Sequence, residues 1–159
     1  LDALGPASDA AARRQSAWLG AELALAAGQP QQALDLVERH PAPQLRPAVL
    51  LHAQAQLALQ RPALASERLQ TWVTTHPQDA QAWQWLAQAW QAQNQPLRAL
   101  RAQAEAQVAI RDFSAAQDRL KAAQDLARRG GNQDHIEASI IDTRLRAVTE
   151  LLREEARKQ

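Results

Sequence analysis

Metal ligation and acid–base chemistry would fall first to the histidines of this chain. Four are present, His40, His52, His76 and His135, and no two lie closer than twelve residues. A helical zinc site needs two ligands one turn apart, as in H-x3-H, so no such pair is available. His40 and His76 each precede a proline, where a cation sits well beside the last carbonyls of a helix. His135-Ile136-Glu137 carries its groups in the wrong order for H-E-x-x-H, and no second His follows. Gly130-Gly131 lacks both the preceding strand and the Lys-Ser/Thr of a phosphate loop. Ser8, Ser16, Ser66, Ser114 and Ser139 have no His and carboxylate in a recognisable local arrangement. With no Cys there is no disulfide, thiolate nucleophile or Cys-based zinc site. The expectation is a chain with no catalytic residue, no metal ligand and no cofactor. An enzyme domain built on a helical array is the alternative from another class, and it would show titratable groups gathered in a cleft.

Charge narrows the partners. Eighteen basic residues face 17 acidic ones for a net charge of +1. Arg13-Arg14, Arg128-Arg129 and the arginines between 144 and 157 are interleaved with acids, whereas phosphate binding needs a basic stripe. No nucleic acid is expected. No run of 18 apolar residues exists, so no direct membrane insertion is expected. The absence of Met points to an excised or processed piece of a larger protein.

The elements that would present any binding groups are helical. Ala fills 36 positions, Leu 22 and Gln 22, while aromatics are 4%. Such a chain is rich in helix formers and poor in strand formers. Turn signals at Gly28-Gln29-Pro30, His40-Pro41-Ala42-Pro43, Gln60-Arg61-Pro62, His76-Pro77, Gln95-Pro96, Arg111-Asp112 and Gly130-Gly131 divide it into helical stretches. The pattern predicts eight helices, about 8–27, 30–39, 46–59, 62–75, 79–92, 96–110, 113–128 and 134–157. Connections this short make neighbours antiparallel.

A shift of 34 residues superimposes Ala53, Ala65 and Pro77 on Ala87, Ala99 and Arg111, and Pro62 on Pro96. Trp83, Leu86, Ala87 and Trp90, followed by Ala99 and Ala106, resemble the tetratricopeptide (TPR) pattern W-x2-L-G-x2-Y…A-x3-F. The expected fold is all-α: a TPR-like α-solenoid of about eight antiparallel helices with a C-terminal capping helix. Its single domain, 1–159, would comprise repeats about 14–45, 46–79 and 80–111, a half-repeat 112–130 and the cap 134–157. Alanine at the crossing points lets backbones approach, and stacking buries what one repeat cannot. In the cap, Ile136, Ile140, Ile141, Leu145, Val148 and Leu152 form the expected apolar stripe, with Arg144, Arg146, Arg153, Glu154 and Glu155 outside.

The TPR resemblance implies a groove lined by the first helix of each repeat. It would take Gln15, Trp18 and Glu22 from the first copy, Leu50, Gln54 and Leu57 from the second, and Gln81, Gln84, Gln88 and Gln91 from the third. Glutamine both donates and accepts, which suits the backbone of an extended peptide with little regard to side-chain charge. The same residues also serve as helix-forming surface. The Lys/Arg/Asn clamp by which some TPR domains hold a terminal carboxylate is missing from these positions. Trp85 points roughly opposite to the Trp83/Trp90 stripe and is either a binding hot spot or buried against the preceding helix.

From residue 78 onward the chain resembles the C-terminal TPR region of the β-barrel assembly-enhancing protease family of bacterial periplasmic zinc metallopeptidases. Arg111-Asp112-Phe113, Ala116, Leu120 and Ala123 match its penultimate helix, Gly130-Gly131 its turn, and Ser139-Ile140-Ile141-Asp142-Thr143-Arg144-Leu145-Arg146 its closing helix. The resemblance implies a periplasmic location and an upstream zinc protease domain that this chain lacks, so zinc is expected only there. It further implies a recruiting role toward outer-membrane β-barrel precursors or their assembly machinery. A generic TPR adaptor in a cell-envelope or secretion complex is the alternative within the same class.

Overall fold

The computed structural model describes residues 5–130 and 134–158, with side chains from Ser8 onward; Gly131 of the expected turn lies outside them. Among the described residues there are eight α-helices and no strand: α1 (Gly5–Ala26), α2 (Pro30–Arg39), α3 (Arg46–Ala58), α4 (Pro62–Thr75), α5 (Ala80–Ala92), α6 (Pro96–Ala109), α7 (Phe113–Arg129) and α8 (His135–Arg157). The fold is the expected all-α one, and within each of its two compact units consecutive helices pack on one another in a solenoid-like manner.

The turns follow one rule. Gly28, Gln60, Asn94 and Arg111 have positive φ and each stands two residues before the next helix. At all four, the following N–H bonds back five residues: Gln29 to Ala24 O, Arg61 to Gln56 O, Gln95 to Trp90 O and Asp112 to Gln107 O, each 2.8–2.9 Å. This is a Schellman closure, which satisfies carbonyls left over at the helix end. Proline at the first position of α2, α4 and α6 then costs no hydrogen bond, because that N–H has no intrahelical partner. The Asn94 and Arg111 turns are seventeen residues apart, half of 34. Thus α6 closes one hairpin and opens the next.

The chain forms two compact units, residues 1–68 and 69–159, divided within α4. In the first, α3 packs on both α1 and α2. Trp18, Ala21 and Ala24 of α1, Ala33, Leu34 and Val37 of α2, and Ala48, Leu51 and Ala55 of α3 share one core. The alanines set the spacing, since a larger side chain at a buried crossing forces helices apart.

In the second unit α5, α6, α7 and α8 pack in sequence, and α8 also touches α6. Phe113, Ala116, Leu120 and Ala123 of α7 meet Ile141 and Val148 of α8 around Ala104 of α6. The expected stripe of α8 is corrected at its start. Ile136 is 78% exposed and Ile140 41%. Glu137 is buried in their stead, ion-paired to Arg101 of α6. Arg144, expected outside, forms a bidentate pair with Glu105 at 2.5 and 2.8 Å. At the start of α8 an ion-paired carboxylate thus takes the buried place expected for isoleucine, while Ile141 and Val148 further on are buried.

Candidate glutamine-lined binding face

The site is built on α5, and its orientation follows from its first turn. The Asp79 side chain accepts from the Ala82 N–H at 3.1 Å, an N-cap of the expected kind. Its other oxygen accepts from Trp72 Nε1 at 3.0 Å. Trp83 Nε1 donates to the Pro77 carbonyl at 3.0 Å. Trp72 in turn stacks on His76, ring centres 3.6 Å apart, and His76 Nδ1 donates to the Trp72 carbonyl. These bonds hold the connector and the start of α5 as one block.

With that entry fixed, Ala82, Trp83, Leu86, Ala87, Ala89 and Trp90 are buried. Gln81, Gln84, Gln88 and Gln91 are all exposed, at spacings of three, four and three that align them along one side of the helix. Among the described residues, Gln84, Gln88 and Gln91 make no side-chain hydrogen bond, so their amides face solvent with donors and acceptors unspent. The opposite flank is pinned: the Arg101 guanidinium lies 5.5 Å over the Trp90 ring while pairing with Glu137. A neutral face of amides on a rigid helix can hydrogen-bond a peptide backbone without selecting for charge. Trp85 is half-buried, between the two outcomes expected for it.

The other expected lining residues divide. Gln15 and Glu22 are exposed on α1, and Gln54 and Leu57 are half-buried on α3. Trp18 and Leu50 depart from the groove expectation, being only 8% and 5% exposed. Trp18 belongs to the α1–α2–α3 core, capped by the Arg14 guanidinium 5.6 Å from its ring. A side chain of that size buries more apolar area in the core than a groove wall offers.

Sequence reasoning missed a buried polar pair in the first unit. His52 and Gln56, one turn apart on α3, are nearly inaccessible, and the Gln56 amide donates to the ring Nε2 at 3.3 Å. Among the described residues, neither His52 Nδ1 nor Gln56 Oε1 has a hydrogen-bond partner. Burial, with the Arg68 charge adding to it, pushes the His52 pKa down to about 4, so the ring is neutral. The 34-residue repeat offered the clue: the same shift puts His52 on Leu86, a fully buried position.

Among the described residues no three His, Asp or Glu gather in a way that could hold a metal ion, and no helix is long and apolar enough to cross a membrane. A half-open cleft of about 380 Å³ lies at the start of α6, lined by residues including Gln95, Arg98, Leu126 and Asp134. The glutamine stripe is outside it. No protein-family model matches this sequence, and no curated protein is significantly similar to it.

Proposed function

We propose that this chain is a non-catalytic module that binds extended peptide or unfolded protein through the glutamine face of α5. The observation that carries this reading is the alignment of Gln84, Gln88 and Gln91 on a helix whose orientation is locked by buried tryptophans, with their amides unengaged. The fixed helix sets the spacing of these amides, so a strand-like backbone meets them in register, and only the side-chain rotamers have to be ordered on binding. The resemblance of the second half of the sequence extends the proposal. The module recruits outer-membrane β-barrel precursors or their assembly machinery for a periplasmic metalloprotease whose zinc domain is not in this chain.

The test is a titration with unfolded peptides copied from outer-membrane β-strands, compared between wild type and the double variant Gln84→Ala with Gln88→Ala. The proposal expects affinity to fall by about 5- to 150-fold, two lost hydrogen bonds at roughly 0.5–1.5 kcal/mol each. Unchanged affinity in the double variant removes this face from the account.

A further inference from the structure

Two buried donors on α1 meet no acceptor among the described residues. Arg14 and Trp18 stand one turn apart on the same side of the helix. Trp18 is 8% exposed and Arg14 is half-buried. The Trp18 Nε1–H and the Arg14 Nε–H are both shielded from solvent, and neither has a hydrogen-bond partner. Each group donates and cannot accept, so the two cannot satisfy one another. Buried donors in that state are rare in folded proteins. Trp72 and Trp83 follow the ordinary rule, placing their indole N–H groups on Asp79 and on the Pro77 carbonyl, each at 3.0 Å.

The second unit holds a completed version of the same arrangement. There the Arg101 guanidinium lies 5.5 Å over the Trp90 ring and pairs with the buried carboxylate of Glu137. On α1 the Arg14 guanidinium lies 5.6 Å over the Trp18 ring, and among the described residues no carboxylate pairs with it. We infer that Arg14 and Trp18 form a receptor for the carboxylate of a bound ligand. The surroundings select the anion. The core neighbours of Trp18 are apolar, and Arg14 supplies a single positive charge. A carboxylate matches that charge, whereas the second charge of a phosphate would be buried without a counterion. A carboxylate that bonds one donor through each oxygen spans about 8 Å from donor to donor, enough to bridge a guanidinium and an indole stacked at this distance. Entry takes a rotamer change of the long Arg14 side chain and no movement of the helix. The receptor lies on α1 and is independent of the glutamine stripe on α5.

The experiment is a titration of the full chain followed by the NMR signals of the Trp18 indole N–H and the Arg14 Nε–H. The probes are acetate, N-acetylglycine and N-acetylaspartate amide, with sodium chloride at equal ionic strength as the control. They stand for a free acid, a chain-terminal carboxylate and an acidic side chain, and the tightest of them names the source. The inference expects both signals to shift on one saturable curve, with at least one carboxylate bound about tenfold tighter than chloride. Trp18→Phe keeps a ring and removes the N–H, while Arg14→Gln removes the charge. Each should weaken the binding of that carboxylate about tenfold, the loss of one charge-assisted hydrogen bond. Arg14→Gln alters a half-buried position, so it decides the matter even where Trp18→Phe disturbs the core. Signals that move without saturating, or no further than with chloride, overturn the inference. So does an affinity that Arg14→Gln leaves unchanged.

Discussion

Replacing His52 with Leu should make the fold less sensitive to acid. In the unfolded chain the imidazole takes up its proton as pH falls through about 6.5, while in the folded chain it does so only near 4. The folded pKa is the lower one, so at neutral pH the titration of the group contributes nothing, and stability is lost as pH falls from 6.5 toward 4. A displacement of that size corresponds to about 3 kcal/mol at full strength, and to about half that after allowance for solvent screening. The Arg68 charge adds to the effect of burial by favouring the neutral ring, and Arg68 itself interacts with Glu38. The variant imitates Leu86, which fills the corresponding position on α5. Urea unfolding of wild type and His52→Leu at pH 7.5, 6.0 and 4.5 is the assay, because carboxylate titration is common to both proteins and cancels in the difference. The stability of His52→Leu relative to wild type should grow by 1–2 kcal/mol, as an order of magnitude, between pH 7.5 and 4.5. A difference that stays constant with pH would refute the claim that this histidine is held neutral by burial.

Other consequences are more local. Ala99 is fully buried, so Ala99→Leu should lower stability by about 1–3 kcal/mol, read by thermal unfolding. Gln60 holds a φ of 59°, and Gln60→Gly should raise stability by about 0.5–1 kcal/mol in the same measurement, the relief of backbone strain exceeding the entropic cost of glycine. Glu137→Ala leaves Arg101 without its carboxylate and should cost about 3 kcal/mol in urea unfolding, with hydrogen exchange accelerated along α8.

The helices were legible because their boundaries rest on local chemistry. Pro30, Pro62 and Pro96 mark helix starts, and Asp79 and Asp112 cap theirs through side-chain bonds to Ala82 and Ala115. The glutamine stripe was legible for a related reason: once Trp83 and Trp90 are buried, a 3.6-residue period places Gln84, Gln88 and Gln91 outside. What escaped the sequence was pairing at a distance. Glu137 and Arg101 are 36 residues apart and Arg144 and Glu105 are 39 apart. Charged residues on a helix read as solvent-facing until the partner is placed opposite them. Trp18 shows the converse error, since its position in the repeat suggested a groove while its size drew it into the core. The positive-φ turns at Gln60 and Arg111 carry neither Gly nor Asn, so their conformation had no sequence signal.

The central claim is that the amides of α5 are the binding surface, and side-chain amide NMR of the full chain tests it most directly. On titration with an unfolded β-strand peptide, the NH2 resonances of Gln84, Gln88 and Gln91 should shift together and saturate with one affinity. Those of Gln117 and Gln124, already bonded to Thr149 and Asp142, should stay in place. Saturable binding that leaves the three α5 amides unmoved would contradict the account.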